Sequence, residues 1–152
     1  MRATQRFLVP IDFSECADQA LDYAIMLAGK LGARLTLLHV IQPLPLGGID
    51  MGVTPTFAYV QDLEAELRRS MESSLERVTA AGLEGDIVMV HGVPFHAIIE
   101  AAKTQQIDLI IMGTHGRIGF PYVLLGSVAE KVIRLAPCPV LVARQPTVVP
   151  VS

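Results

Sequence analysis

Apolar and polar positions follow two alternating patterns along this chain. Short, mainly apolar runs, typical of strands buried on both faces of a sheet, occur at residues 7–11, 35–41, 87–90, 109–112 and 140–143. After each of the first four runs, apolar residues recur every three or four positions, which is typical of a helix with one buried face. This alternation predicts an α/β fold: a three-layer, open, parallel five-stranded sheet with helices on both faces and right-handed crossovers.

Capping residues and breakers predict where the helices begin and end. Ser14 is predicted to cap the first helix, which Gly32 ends, and Pro94 suits the first turn of the third. Ser127 is predicted to cap the fourth helix. The second helix is predicted over residues 57–81, with one apolar stripe that faces the sheet, formed by Val60, Leu63, Leu67, Met71, Leu75 and Val78.

A single domain is predicted to span residues 1–152. Of these 152 residues 51% are hydrophobic, which is enough for one core, while the length is too short for two domains of ordinary size. The segment 42–56 contains three prolines and three glycines and is predicted to be a flexible loop. Residues 145–152 are predicted to form a tail.

Charge and composition exclude several kinds of partner. The formal net charge of −3 provides no global basic field for nucleic acid or an anionic membrane surface. No apolar run approaches the ~20 residues of a membrane span, and residues 1–6 open onto a strand without a signal-peptide core. We therefore expect a cytoplasmic protein without membrane insertion. In that reducing compartment Cys16 and Cys138, which match no metal spacing, are expected to be free thiols.

A glycine-rich stretch between the fourth strand and the fourth helix carries the main functional signal. Gly113, Gly116 and Gly126 precede Ser127, and the spacing is not that of a Walker A loop. Nor is it the dinucleotide fingerprint, because Gly113, Gly116 and Gly119 form G-x-x-G-x-x-G rather than G-x-G-x-x-G. Glycines let phosphate oxygens approach the backbone, and a helix start offers unpaired N–H groups and a positive dipole end. The stretch is therefore predicted to cradle phosphate groups. A side chain at Gly113 or Gly116 is expected to block the phosphates and to leave the fold intact.

Three loops are expected at the carboxyl edge of the sheet, where ligands of such folds bind. Asp12 follows the first strand and can accept hydrogen bonds from a ribose hydroxyl or a base. Val40 lies at the end of the second strand, where its backbone can meet an adenine edge. Arg117 lies in the glycine loop and is interpreted either as a phosphate ligand or as a solvated charge. A base, a sugar and phosphates are thus predicted to lie in sequence along this edge.

No set of residues for catalysis or metal binding stands out, and no catalytic residue is predicted. His115 in the glycine loop is interpreted as a phosphate contact rather than a general acid or base, and His39 as a structural residue or cavity wall. His91 and His96 have no cysteine or carboxylate at ligand spacing, so no metal site is predicted. Fast phosphoryl transfer needs metal-holding residues and cations that the sequence does not present as a set. At most slow phosphoryl transfer is expected, with Mg²⁺ held mainly by the phosphates.

These segments together resemble the universal stress proteins, small cytosolic proteins of which one branch binds ATP. The likeness covers nearly the whole chain, at residues 9–14, 108–117, 125–132 and 136–142, and the G-x2-G-x9-G-S/T pattern of the ATP-binding branch is complete. The resemblance implies a Rossmann-like fold of the adenine nucleotide alpha hydrolase-like type. It also implies that ATP is bound by Pro10, Ile11, Asp12, Val40, Met112, Gly113, Thr114, His115, Gly116, Arg117, Gly126, Ser127 and Val128.

The resemblance further implies a homodimer formed through the last strand, Val140 to Ala143, because an unpaired apolar edge suits pairing with a second chain. Phe120-Pro121-Tyr122 is bulkier than the small and polar residues often found there in the family, and it is expected to reshape entry to the site. The leading hypothesis is a homodimeric, ATP-binding signalling or stress-response regulator. Three alternatives stay open: a dimeric scaffold of the same fold that binds no nucleotide, a slow ATPase, and an ATP-dependent pyrophosphatase, whose S-G-G-x-D-S signature is absent.

Overall fold

The fold is a parallel β-sheet with helices on both faces. The structure, a computed structural model, describes residues 4–43, 56–115 and 125–144. The elements alternate in chain order: β1 (Arg6–Pro10), α1 (Glu15–Leu31), β2 (Arg34–Ile41), α2 (Phe57–Ala80), β3 (Gly85–His91), α3 (Pro94–Thr104), β4 (Leu109–Gly113), α4 (Ser127–Leu135) and β5 (Val140–Ala143). The predicted fold class is confirmed. Most of the loop predicted at 42–56, and the tail predicted at 145–152, lie outside the described residues.

The strand order places a crevice between β1 and β4. The strands are all parallel and follow the order β3-β2-β1-β4-β5. From the central β1 the chain adds β2 and β3 on one side, and it then crosses back to add β4 and β5 on the other. The connections after β1 and β4 therefore leave in opposite directions. Open α/β sheets form their ligand crevice at such a switch point.

Each face of the sheet has its own hydrophobic core. α1 and α2 cover one face, where Leu21 and Met71 pack with Val9 of β1. α3 and α4 cover the other face, where Val132 packs with Leu8. Successive side chains of a strand point to opposite faces, so β1 supplies both cores, and this double burial explains its continuous apolar run. No helix in the described ranges is long and apolar enough to cross a membrane.

The helix termini follow the predicted signals with one correction. Ser14 caps α1, since its Oγ accepts the N–H of Ala17 at 3.1 Å. Gly32 ends α1 in the left-handed conformation, at φ 68°. At α4 the prediction of Ser127 as the cap was wrong: the N-cap is Gly126, and Ser127 is the first helical residue. The physical reason is that Gly126 already has the extended backbone of an N-cap, at φ −70° and ψ 160°.

Strand boundaries differ from the predicted ones by one or two residues. β3 begins at Gly85 rather than at residue 87, because Gly85 and Asp86 pair with β2. The buried Thr36 hydroxyl of β2 donates to the Asp86 carboxylate at 2.9 Å, which satisfies both groups. β1 ends at Pro10 rather than Ile11, although the Ile11 N–H still donates to a β2 carbonyl, that of Leu38, at 2.8 Å.

The apolar stripe predicted along α2 faces the sheet over only part of its length. Met71 and Val78 are fully buried, whereas Val60 and Leu63 are each 37% exposed. A helix of 24 residues is about 36 Å long, and the 8 residues of β2 span about 26 Å. The first turns of α2 therefore extend past the carboxyl edge of the sheet. The prediction that Val60 and Leu63 face the sheet was wrong for this reason.

Both cysteines are free thiols, as predicted. Cys16 is buried in the first turn of α1. Burial raises the pKa of the Cys138 thiol; a backbone hydrogen bond at Ile110 opposes the rise, and the charge of Asp108 adds to it. Because the thiolate is the reactive form, this shift keeps Cys138 a poor nucleophile at neutral pH.

We expect Met71→Ala to lower the free energy of unfolding by about 2–5 kcal/mol, because it leaves a cavity in a closed core. Val60→Ala lies on the same helix stripe and is the matched control, with an expected change below about 0.5 kcal/mol. Urea unfolding followed by circular dichroism measures both. Equal losses would show that the first turns of α2 pack on the sheet after all.

Candidate functional site

A cavity of about 550 Å³ opens at the switch point between β1 and β4. The carboxyl ends of β1, β2 and β4 line it, together with the first turns of α3 and α4 and the part of α2 that extends past the sheet. Its volume lies within the range of roughly 300–1,000 Å³ that is typical of small-molecule sites. The position agrees with the expectation that three loops meet at this edge.

The structure brings most of the predicted site residues into the lining of this one cavity. They are Pro10, Ile11, Asp12, Val40, Met112, Gly113, Thr114, His115, Gly126, Ser127 and Val128. His39, interpreted from the sequence as a structural residue or cavity wall, lines it too. Gly116, Arg117 and the segment 120–122 lie outside the described residues.

Sequence reasoning missed the side chains that two helices contribute to the lining. Leu63 and Leu67 reach the cavity from α2, and Pro94 and Ile98 reach it from α3. Helical periodicity predicts that the leucines face the sheet, because it reports which face of a helix is apolar and not where the sheet ends. The difference in length between α2 and β2 is the signal that could have revealed them. The lining also includes Ala17, Leu38, Ile41, Gln42 and Ala129.

Asp12 is held by the start of α1. Its Oδ1 accepts hydrogen bonds from the N–H of Ser14 at 3.0 Å and from the Ser14 hydroxyl at 2.5 Å. The same hydroxyl oxygen accepts the N–H of Ala17, so the carboxylate, the hydroxyl and the helix start form one hydrogen-bonded chain. Both bonds to Asp12 use Oδ1. The other oxygen, Oδ2, is therefore the acceptor that this half-buried side chain can offer to the cavity.

Two glycines of the motif are required by packing inside the protein. A Cβ at Gly113 would lie 2.7 Å from the Cβ of Cys16 and 2.8 Å from its carbonyl atoms, so only glycine lets α1 approach the end of β4 this closely. A Cβ at Gly126 would lie 2.8 Å from the carbonyl oxygen of Thr114, to which the Gly126 N–H donates at 2.6 Å. A side chain at Gly113 is therefore expected to cost stability, which the interpretation of this glycine as a phosphate cradle does not include.

The first turn of α4 presents backbone donors to the cavity. The first intrahelical hydrogen bond runs from the Glu130 N–H to the Gly126 carbonyl, at 3.0 Å. Among residues 4–43, 56–115 and 125–144 no side chain caps this helix. The N–H groups of Ser127, Val128 and Ala129 precede that bond, and all three residues line the cavity. The positive end of the helix dipole lies at the same place. This wall can therefore bind an anion.

Few charged side chains face the cavity from the described part of the chain. Its ionisable lining residues are Asp12, His39 and His115, and neither lysine nor arginine contributes from these residues. The buried Thr114 hydroxyl lies 3.0 Å from Nδ1 of His115. No group of three or more His, Cys, Asp or Glu side chains suited to a metal ion occurs among residues 4–43, 56–115 and 125–144. Within these residues an anionic ligand meets backbone dipoles rather than cationic side chains.

We expect Gly113→Ala to lower the free energy of unfolding by about 1–3 kcal/mol, because the added methyl group overpacks the contact with Cys16. Gly29→Ala is the matched control: a Cβ there meets nothing within 4 Å, and α1 is expected to gain up to about 1 kcal/mol from the better helix former. Urea unfolding compares the two. A Gly113→Ala variant as stable as the wild type would contradict the packing role of Gly113.

Comparisons with known proteins agree on one family. A family model described as the universal stress protein family matches residues 3–144. The universal stress protein YxiE of Bacillus subtilis is 32% identical, over 91% of this chain and 98% of its own length. The universal stress protein MJ0577 of Methanocaldococcus jannaschii is 31% identical, over 93% of this chain and 95% of its own.

Solved structures show the same fold. The structure of MJ0577 superposes with a TM-score of 0.81 at 30% identity, and covers 95% of this chain and 98% of its own. A universal stress protein in complex with cAMP superposes with a TM-score of 0.69 at 26% identity, over 94% of this chain and 98% of its own. The family match, the relatives and the shared sheet together lead to one conclusion: this chain belongs to the universal stress protein family.

Proposed function

We propose that this chain binds ATP in the switch-point cavity and acts as a nucleotide-dependent regulator in the stress response. The observation that carries the proposal is that the first turn of α4, which no described side chain caps, opens into the same cavity as Asp12 and Val40. Uncapped N–H groups at a helix start bind phosphate well. The family member that was solved with cAMP supports a nucleotide as the ligand.

The proposed arrangement places each part of the nucleotide against a different element. Adenine lies against the Val40 backbone, a ribose hydroxyl donates to Oδ2 of Asp12, and phosphate oxygens accept from the N–H groups of Ser127 and Val128. Mg²⁺ is held through the phosphates. The remaining residues of the proposed site are Pro10, Ile11, Met112, Gly113, Thr114, His115, Gly116, Arg117 and Gly126.

The same arrangement favours binding over rapid turnover. Charge-assisted hydrogen bonds contribute about 1.5–3 kcal/mol each. After the cost of ordering the ligand is subtracted, a few of them support a micromolar dissociation constant, which corresponds to a binding free energy of about −8 kcal/mol. Phosphoryl transfer additionally needs an oriented nucleophile and residues that hold metal and stabilise charge. The described lining offers a single carboxylate, Asp12, which Ser14 already engages.

We place this activity in the cytoplasm and in one domain spanning residues 1–152. Two free thiols suit a reducing compartment. One sheet with a core on each face includes every described strand and helix, which supports a single domain.

Titration of the wild type with Mg·ATP in a calorimeter is expected to give micromolar binding. Ser127→Asp is expected to weaken it at least tenfold, because a carboxylate at the start of α4 repels phosphate. The same charge favours the helix dipole, so the thermal midpoint should stay the same or rise. Ser127→Ala is the control and should bind within about threefold of the wild type, since the proposed donors are backbone groups.

Absence of heat from the wild type at high protein concentration would contradict ATP binding and favour the nucleotide-free scaffold. If Ser127→Asp bound ATP as tightly as the wild type, the phosphates could not lie at the start of α4. Turnover faster than about one per second, the low end of typical enzymes, would favour an ATPase.

We also propose that two copies pair through the outer edge of β5, which is the last strand of the sheet. The Ile110 N–H donates to the Pro139 carbonyl, and in a parallel ladder the bonds to β4 then fall on alternate residues, Pro139, Leu141 and Ala143. The N–H and C=O groups of Val140 and Val142 point away from β4 on that register. An apolar edge strand whose outward N–H and C=O groups have no partner strand among the described residues is a template for a second strand.

Val142→Pro is expected to convert the dimer into a folded monomer, because it removes an edge N–H without removing a bond to β4. Val142→Ala keeps that N–H and should stay dimeric. Light scattering after size-exclusion chromatography gives the mass of each. A monomeric wild type, or a dimeric Val142→Pro variant, would contradict pairing through β5.

A further inference from the structure

The turn between β1 and α1 has a backbone conformation that its own sequence does not favour. The backbone of Phe13 has φ 63°, in the left-handed region. Residues other than glycine, asparagine and aspartate rarely adopt this region. Such a residue persists only where surrounding contacts impose the conformation, and these positions cluster at functional sites. The residue before it is Asp12, which the proposed function places against the ribose.

One side chain from a different strand contacts the residues on both sides of Asp12. His39 of β2 has its Nδ1 at 2.7 Å from the carbonyl oxygen of Ile11. Its ring also lies against the ring of Phe13, with centroids 4.8 Å apart and planes at 43°. Ile11 and Phe13 flank Asp12 in sequence, so His39 restrains the turn immediately before and immediately after the carboxylate.

The contact with Ile11 also defines the protonation of the imidazole ring. A backbone carbonyl oxygen only accepts hydrogen bonds, so Nδ1 must carry the proton that is donated to it. In the neutral ring Nε2 is then the unprotonated nitrogen. The hydrogen bond made by one ring nitrogen determines whether the other carries a proton. The tautomer of His39 can therefore be measured.

We propose that His39 is a positioning residue for nucleotide binding: in its Nδ1–H form it clamps Ile11 and Phe13 and thereby fixes the Asp12 carboxylate for a ribose hydroxyl. The inference rests on the proposed function for the identity of the ligand, and on the hydrogen bond and the ring contact for the clamp itself. The Asp12 carboxylate is tied to Ser14 through Oδ1, so the clamp and the Ser14 bonds together orient Oδ2. A histidine that only packs against Phe13 needs no particular tautomer and no donor.

Two measurements on the ligand-free protein test the clamp. In a ¹⁵N spectrum of the imidazole rings, His39 is expected to carry its proton on Nδ1 in the neutral form. The Ser14 N–H, which reports on the bond to Asp12, is expected to exchange with solvent at least tenfold faster in His39→Leu than in the wild type. His39→Asn keeps a donor close to the Nδ1 position and is expected to restore slow exchange. A ring protonated on Nε2, or a Ser14 N–H that exchanges equally slowly in His39→Leu, would overturn the clamp.

Binding measurements test the consequence for the nucleotide. His39→Leu is expected to bind ATP about tenfold more weakly, the effect of losing one hydrogen bond to a charged group, and His39→Asn to stay within about threefold of the wild type. For 2′,3′-dideoxy-ATP, which lacks the ribose hydroxyls, all three proteins should bind alike within about twofold. Equal tenfold losses with both nucleotides would reduce His39 to a general structural role and overturn the proposal.

The two sets of measurements separate this inference from the proposed function. Suppose that the wild type binds neither nucleotide, but that the Ser14 N–H exchanges faster in His39→Leu than in the wild type and His39→Asn. The proposal of ATP binding is then contradicted, and the clamp is still supported. Thermal unfolding confirms that each variant is folded. If His39→Leu does not fold, the tautomer of the wild type and the exchange and affinity of His39→Asn decide the matter in its place.

Discussion

The close approach of α1 to the end of β4 is the contact on which the rest of the site depends. It exists because Gly113 has no side chain where the backbone of Cys16 passes. With α1 in that place, the turn that precedes it carries Asp12 beside the point where β4 ends. The Gly126 N–H then donates a short hydrogen bond to the Thr114 carbonyl just after β4, and this bond holds the start of α4 at the same crevice. The close contact at Gly113 and the bond between Gly126 and Thr114 thus bring together the acceptor Asp12 and the backbone donors of α4.

Much of this fold could be predicted from the sequence, because burial on both faces leaves a simple signal. Leu8 and Val9 belong to opposite cores, and so β1 reads as a continuous apolar run rather than an alternating one. The position of the site followed from the same signal, since the carboxyl ends of parallel strands share one edge. The sequence could therefore place Asp12, Val40 and the glycine loop at one edge of the sheet.

The remaining features depend on distances that a linear pattern does not contain. Periodicity marked Leu63 as apolar and inward-facing on its helix, but only the lengths of α2 and β2 show that the sheet has ended at that level. A glycine in a motif likewise indicates that the space beside its Cα must stay free of a side chain. It does not indicate whether a ligand or another part of the protein occupies that space. At Gly113 the space is taken by another helix, which the spacing of the motif alone could not distinguish from space for a phosphate. The clamp by His39 could not be predicted from the sequence either, because it joins β2 to a turn that follows β1.

The described donors of the cavity fit the proposed binding of a nucleotide better than its cleavage. Backbone N–H groups at a helix start bind a phosphate whether or not it is reacting, and binding that is equal in the ground state and the transition state does not accelerate chemistry. Rate enhancement needs groups directed at charge that develops only during the reaction. Asp12, the carboxylate in the described lining, is already engaged by Ser14 and held in a fixed turn. Groups so constrained can recognise a ligand, which supports the proposal of nucleotide binding over the alternative of rapid catalysis.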